Sequence, residues 1–260
     1  MSAWTFCGGR WTPCGGIPLE DRGFRYGMSV FETVAIFRGT PLFFEAHRER
    51  LARALGELGW AGMVLPESLA GGLGGGEVTG VFRWYVTAGP GGPGEDIAGE
   101  IYGIFEEAEV GTDFPAARIA TCGAPYLSAP GGWKTGNYWQ NVRAWAEARS
   151  CGADEALLFE PSGSLVSASM GNLFLEVDGR WQTPALGRGA RDGVVRAWVL
   201  GQLPAEEAWL DAESVRRATA AFVTGSRAGV RAVCEIDGRP LRTDVTRLQD
   251  TYRRDVLFLR

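Results

Sequence analysis

The sequence predicts a mixed α/β fold in two halves, on three observations. Short runs alternate side chains at the two-residue period of a strand: in Ser29–Phe37, Phe31, Thr33 and Ala35 alternate with Val30, Glu32 and Val34. Longer runs repeat apolar residues at helical spacing, as in 47–58, where Leu51, Leu55 and Leu58 share a face. Between the two sets lies the turn-rich linker Gly111-Thr-Asp-Phe-Pro115, so the expected halves are residues 1–112 and 113–260.

In chain order, short N-terminal strands lead into Ser29–Phe37, and a turn at Arg38-Gly39-Thr40 returns through Leu42-Phe43-Phe44. The helix over 47–58 follows, and strands over 81–87 and 101–110 complete the first sheet. The second half opens at Arg118-Ile-Ala-Thr121. It continues with a helix over 138–149, stopped at Cys151-Gly152, and an apolar strand at Glu155–Phe159. Asp178-Gly179 and Asp237-Gly238 mark hairpins, because both central positions of the favoured turn need positive φ. A helix over 194–203 and a C-terminal helix around 246–257 complete the half. Gly71-Gly-Leu-Gly-Gly-Gly76 neither follows a strand nor opens a clear helix, so it reads as a loop rather than a dinucleotide site.

Composition excludes several classes. At 260 residues the chain can bury one large core or two smaller ones. A formal charge of −5 and the lack of a basic run argue against nucleic acid. No apolar run reaches transmembrane length and the N-terminus lacks a leader pattern, so a cytoplasmic protein is expected, away from membranes. The five cysteines form no close pair, which suits reduced thiols. With one histidine, His47, and no cysteine cluster, no metal site is expected. His47 also has no nucleophile placed beside it by the sequence.

Lys134, in Gly132-Trp-Lys-Thr-Gly-Asn-Tyr138, carries the most information. It follows the loop Gly123-Ala-Pro-Tyr-Leu-Ser-Ala-Pro130 and precedes the first helix of the second half. Alone, such a lysine is more often a solvated charge. In a partly dry pocket, however, a lysine can lose its proton and form a Schiff base.

The order of motifs resembles the class IV aminotransferases, the pyridoxal-phosphate enzymes of fold type IV. That family includes branched-chain aminotransferases, D-amino acid aminotransferases and aminodeoxychorismate lyases. The resemblance rests on Asp21-Arg-Gly-Phe-Arg-Tyr-Gly27, Val30-Phe-Glu-Thr33, Glu45-Ala-His-Arg-Glu-Arg-Leu51 and Lys134-Thr-Gly-Asn-Tyr138. It continues through Gly152-Ala-Asp-Glu-Ala156, Gly193-Val-Val-Arg196 and Val223-Thr-Gly-Ser226. No one motif is specific; their order and spacing together are. The resemblance implies two α/β domains joined by a short linker, pyridoxal 5′-phosphate in the cleft between them, Lys134 as its covalent anchor, and a homodimer.

It also implies roles residue by residue. Arg50 matches the phosphate-binding arginine, although an arginine on an amphipathic helix is often surface decoration. Gly193, Val194 and Val195 match the turn that offers backbone N–H groups to the phosphate; alone, Gly193 could simply start a helix. The family pattern there ends in Thr-Arg, whereas this chain has Val195-Arg196, one hydroxyl fewer. Ser226 matches a second phosphate-side loop, and Arg227 beside it has no fixed counterpart. Asn172 follows a Ser-rich turn as in the family, and Tyr138 is a candidate donor to the cofactor's phenolic oxygen. The branched-chain enzymes have one more residue between lysine and tyrosine, and a buried helix aromatic is the plain alternative for Tyr138. On the substrate side the expected residues are Phe31 and Arg83, the latter for a carboxylate or else a salt-bridged strand arginine.

Ser167 is the largest departure. The family places a glutamate there, against the cofactor's ring nitrogen. A carboxylate favours the protonated ring by Coulomb attraction, each pKa unit being about 1.4 kcal/mol, and a neutral hydroxyl gives much less. The weaker electron sink tilts the chemistry toward elimination, in which the leaving group drains the charge. Gly89-Pro-Gly-Gly-Pro-Gly94 resembles the Gly-rich turn of the lyases, while Pro93-Gly94-Glu95 stands where D-amino acid enzymes carry an Arg-x-His carboxylate trap. The expected function is amino transfer between an amino acid and a 2-oxo acid. The alternative is aminodeoxychorismate lyase-type elimination, releasing pyruvate and 4-aminobenzoate. A more distant alternative is a non-catalytic family member.

Overall fold

The computed structural model describes residues 1–60, 62–73, 75–129 and 132–259. Gly74 of the glycine-rich loop and Pro130 of the loop before Lys134 therefore lie outside the described residues. The chain divides into two compact units, Met1–Val110 with Trp133–Asn137, and Gly111–Gly132 with Tyr138–Arg260.

The first unit is built on β1 (Ser2–Cys7), β2 (Arg10–Pro13), β3 (Ser29–Phe37), β4 (Thr40–Pro41), β5 (Gly80–Thr87) and β6 (Glu100–Glu107). Among the described residues these form one antiparallel sheet in the order β2-β1-β6-β5-β3-β4. The β3–β5 register sets Phe31 opposite Tyr85 and Thr33 opposite Arg83, so these four share a face. Val30, Val34 and Ile36 with Phe82, Trp84 and Val86 take the other face and pack with Leu51 and Leu55 of α2 (Phe44–Glu57). Gly103 in β6 lies under that core. A Cβ there would stand 2.3 Å from the Phe82 ring and 2.8 Å from Trp11, so no side chain fits.

A short helix, α1 (Arg22–Tyr26), is capped by the Asp21 side chain, which accepts from the Gly23 amide at 2.6 Å. Arg22 is fully buried and spends its donors on backbone carbonyls. Nε reaches Gly89, Nη1 reaches Gly92 and Glu95, and Nη2 reaches Ala88 and Asp96, at 2.7–3.3 Å. The glycine-rich segment after β5 is therefore folded around one guanidinium.

Trp133–Asn137, which the sequence reading assigns to the C-terminal half, is grouped by its contacts with the first unit. The cause is main-chain pairing along the start of β3. The Phe31 amide donates to the Lys134 carbonyl at 2.8 Å, the Gly136 amide to the Ser29 carbonyl at 2.9 Å, and Val30 bridges Thr135. Pairing of this kind uses the N–H and C=O groups that an edge strand leaves over.

The second unit carries β7 (Ala117–Thr121), β8 (Glu155–Phe159), β9 (Leu165–Ala168), β10 (Asn172–Val177), β11 (Arg180–Pro184) and β12 (Ala205–Ala208). It continues with β13 (Ala220–Gly225), β14 (Gly229–Ile236) and β15 (Arg239–Pro240). They form a mixed nine-stranded sheet, β12-β11-β10-β13-β14-β7-β8-β9, with β15 paired to β14. Its helices are α3 (Trp139–Ser150), α4 (Val194–Leu200), α5 (Ala212–Arg217) and α6 (Thr246–Asp255). Ile119, Leu157, Leu173, Leu175, Val223 and Val233 lie in its core. The two Asp-Gly hairpins form as expected, with φ of 52° and 75° at Asp178-Gly179 and 49° and 78° at Asp237-Gly238.

Five elements differ from the sequence reading. The return strand is only two residues long, because Phe43 at φ 54° turns the chain straight into α2, which starts three residues earlier than expected. The helix expected over 194–203 ends at Leu200, and Pro204 disfavours helical geometry in the residue before it. β12 and α5 were not read at all: β12 is two glutamates between two alanines, and α5 is a single short capped helix. No helix among the described residues is long and apolar enough to cross a membrane.

Candidate functional site

Lys134 is half-buried, and its backbone is fixed by the β3 pairing. Its Nζ lies 3.7 Å from the centroid of the Phe31 ring, which in turn stacks on Tyr85 at 5.1 Å and 17°. A lysine ammonium over an aromatic ring is attracted to the ring face and loses water on that side. Phe31 is thus a floor for the lysine.

Behind the same strand sits a buried ionic cluster. Glu32 is 2 % exposed although it lies on the apolar face of β3. It accepts from Arg50 Nε at 2.7 Å, pairs again with Arg50 Nη2, and lies 2.7 Å from His47 Nδ1. Burial raises the Glu32 carboxyl, but the Arg50 charge and the bonds from His47 and Arg50 outweigh it and hold the group at about 2. Burial lowers His47 more than Glu32 raises it, so the imidazole is held neutral and donates through Nδ1–H. Arg50, expected to hold phosphate, is therefore gripped by a forked carboxylate contact that fixes the plane of its guanidinium. Arg83 Nη1 lies 2.7 Å from Glu106, on the sheet face it shares with Phe31. A salt bridge of this kind is the alternative foreseen for Arg83.

In the second unit, Tyr138 stands immediately before α3, and its hydroxyl oxygen accepts from Arg191 Nη1 at 3.1 Å. The Arg191 carbonyl accepts from Asn172 Nδ2 at 2.8 Å. Gly193 comes against the same asparagine: a Cβ there would lie 1.8 Å from Asn172 Oδ1. The helix α4 thus begins where a side chain would have to displace the Asn172 amide, with no side chain capping its first amides, those of Val194 and Val195 included. Thr224, opposite Asn172 in the register of β10 and β13, is buried, and its hydroxyl has no hydrogen-bond partner among the described residues. Ser226 lies just beyond, half-buried. Arg227 is exposed over the Phe114 ring at 5.4 Å, and its carbonyl accepts from the Gly111 amide.

Ser167 pairs with Leu158 and donates its hydroxyl to the Gly171 carbonyl, closing the Ser-rich turn. Its proton is spent there, and only lone pairs remain for another partner. The carboxyl of Glu155 braces the far side of this turn, accepting from the Ser169 hydroxyl and from the Met170 amide at 3.0 Å. Burial pushes that carboxyl up, more than these bonds bring it down.

The family model for amino-transferase class IV matches residues 29–236. The chain belongs to the class IV aminotransferases. A branched-chain-amino-acid aminotransferase of Pseudomonas aeruginosa is 34% identical over 128 residues, covering 45% of this chain and 41% of that protein. The matched stretch thus spans about two-fifths of that relative's length. Two solved structures align almost end to end. A branched-chain aminotransferase of Thermoproteus uzoniensis with norvaline gives a TM-score of 0.86 at 24% identity, over 99% of this chain and 95% of the other. A 4-amino-4-deoxychorismate lyase of Pseudomonas aeruginosa gives 0.83 at 25%, over 99% and 100%. The fold is therefore that of fold type IV.

Within this class IV chain, the residues expected at the site fall into two groups. Phe31 and Lys134 meet in the first unit, with Arg50 held by Glu32 and Arg83 by Glu106. In the second, Tyr138, Asn172 and Gly193 are linked through Arg191, and Ser226 follows Thr224. Sequence reasoning missed Glu32, His47, Arg191 and Thr224 as parts of these groups. For Glu32 a signal was present: it is the one charged residue among valines on the inward side of its strand. For Arg191 there was none, since Tyr138 lies fifty-three positions away.

Proposed function

We propose that this chain is a cytoplasmic, homodimeric, pyridoxal-phosphate-dependent aminotransferase, with Lys134 as the residue that holds the cofactor covalently. The observation that carries the reading is the Lys134 amine seated over Phe31 on a backbone-fixed segment, in a chain of this family. The second unit suits a phosphate: uncapped amides at Val194 and Val195, a Gly193 position that admits no side chain, and the unpartnered Thr224 hydroxyl. Ser226 is assigned to that phosphate, Arg227 to its periphery, Asn172 to the cofactor and Tyr138 to the phenolic oxygen, and Arg50 keeps the phosphate-binding role that the resemblance implies. The bound cofactor supplies a conjugated ring that takes up charge when the Cα proton leaves. Lys134 would hold the cofactor covalently and, once released by the incoming amine, would be the group positioned to take up and give back the substrate's proton. Phe31 excludes water beside the amine, and Arg83 is assigned to the substrate carboxylate. The exposed Trp139, Val142 and Trp145 on one side of α3 offer apolar surface for a second copy. A monomer in sedimentation velocity would remove that part.

Mixing cofactor-loaded protein with a panel of L-amino acids, glutamate included, tests the reading in one turnover. Conversion of the visible band to the pyridoxamine form, with release of a 2-oxo acid, is the expected result and names the amino donor. A protein that takes up no cofactor would be a non-catalytic member of the family.

One observation favours a second reading. With its proton spent on Gly171, Ser167 brings no charge to a ring nitrogen, which suits elimination better than proton transfer. Release of 4-aminobenzoate and pyruvate from aminodeoxychorismate, without conversion by any amino acid, would establish the lyase. Ser167→Glu is expected to speed amino transfer by about tenfold, the equivalent of one pKa unit at the ring. An unchanged half-reaction rate and spectrum would mean that Ser167 does not face that nitrogen.

A further inference from the structure

We propose that Arg191 is a positioning residue that turns Tyr138 into a committed and strengthened hydrogen-bond donor. The inference rests on the assignment of Tyr138 to the cofactor's phenolic oxygen made above. Arginine has donors only, so in the Arg191–Tyr138 contact at 3.1 Å the phenol oxygen is the acceptor. The phenol's own proton is thereby steered away from Arg191. The guanidinium carbon also lies 5.3 Å from the centroid of the tyrosine ring, so its charge acts on the whole phenol. A cation on the oxygen and over the ring withdraws electron density, which makes the O–H a better donor to an anionic oxygen.

Arg191 is not a loosely held surface side chain. Its carbonyl is tied by Asn172, and two residues later Gly193 is packed against the same asparagine with no room for a Cβ. The backbone that carries the guanidinium is thus fixed at the start of α4. Chemically, this pair provides what Ser167 does not. Where a carboxylate would draw the ring's electrons toward a protonated nitrogen, a cation-backed phenol draws them toward the phenolic oxygen.

The test compares binding of pyridoxal phosphate with binding of its 3-deoxy analogue, which lacks the phenolic oxygen, in four proteins. Comparing the same two ligands throughout cancels the effect of the missing oxygen on carbonyl chemistry. The unmodified protein is expected to prefer the natural cofactor by about tenfold or more, the size of a hydrogen bond to a charged group. Tyr138→Phe should cut the preference by about that factor, and Arg191→Gln by most of it. Arg191→Lys, which keeps the charge but not the fork, should retain part. A preference lost in Tyr138→Phe but intact in Arg191→Gln and Arg191→Lys overturns the role of Arg191 alone. A preference as large in Tyr138→Phe as in the unmodified protein overturns the assignment of Tyr138, and this inference with it.

Discussion

Replacing Lys134 with alanine is expected to abolish the visible absorption of the cofactor-loaded protein and to lower amino transfer by on the order of 10³-fold or more, the upper range for removing a positioned acid–base group. The fold should survive, because the segment is held by main-chain bonds from Ser29 and Phe31 rather than by the lysine side chain. Uptake of pyridoxamine phosphate, which needs no covalent link, should persist in the variant. That outcome separates loss of chemistry from loss of the site. An alanine variant that kept the band would falsify the assignment of Lys134.

Glu32→Ala should have the largest effect on stability. It leaves Arg50 and His47 facing a buried gap in the first unit, and breaking one side of a buried ion pair costs about 3–5 kcal/mol. Urea unfolding followed by tryptophan fluorescence is a suitable readout, since Trp84 lies opposite Glu32 in the sheet. The loss should depend on pH in a defined direction. In the unfolded chain the Glu32 carboxyl titrates near 4.5, but in the fold it does so at about 2. Its contribution is therefore fully present above 4.5 and is lost as pH falls toward 2, where unmodified protein and variant should converge. His47 adds a loss that begins at higher pH. Unfolded, it takes up a proton near its ordinary 6.5, whereas the folded imidazole resists, so the unfolded state gains as pH drops below that value. A gap between the two proteins that stayed constant down to pH 2 would show that the Glu32 charge contributes nothing.

Much of the frame was legible in the sequence because its signals are local. The Asp-Gly hairpins, the strand Ser29–Phe37 and the helix after Tyr138 all follow from residues within a few positions of one another. The site was legible only in part. Lys134 stood out through the motifs around it, but its partner Phe31 lies across a main-chain pairing that no periodicity announces. The grip of Glu32 on Arg50 could be half-read, since a glutamate on the apolar side of a strand needs a partner. Arg191 was silent, because an arginine in an irregular loop before a helix has no pattern until the chain brings Tyr138 to it. Arg83 shows the reverse: the strand face was read as the register has it, yet the residue's partner in the sheet is Glu106.

The buried guanidinium of Arg22 has a consequence for how this protein can change. It organises residues 88–96 through carbonyl oxygens alone, and every residue type carries the same carbonyl. Side chains in that segment beyond the buried Ala88 can then be exchanged one after another while its path is conserved, as long as the backbone angles at its glycines are respected. An anchor of this kind separates the shape of a loop from its chemistry. It makes the stretch after β5 a place where new side chains can be tried without refolding the domain that presents them.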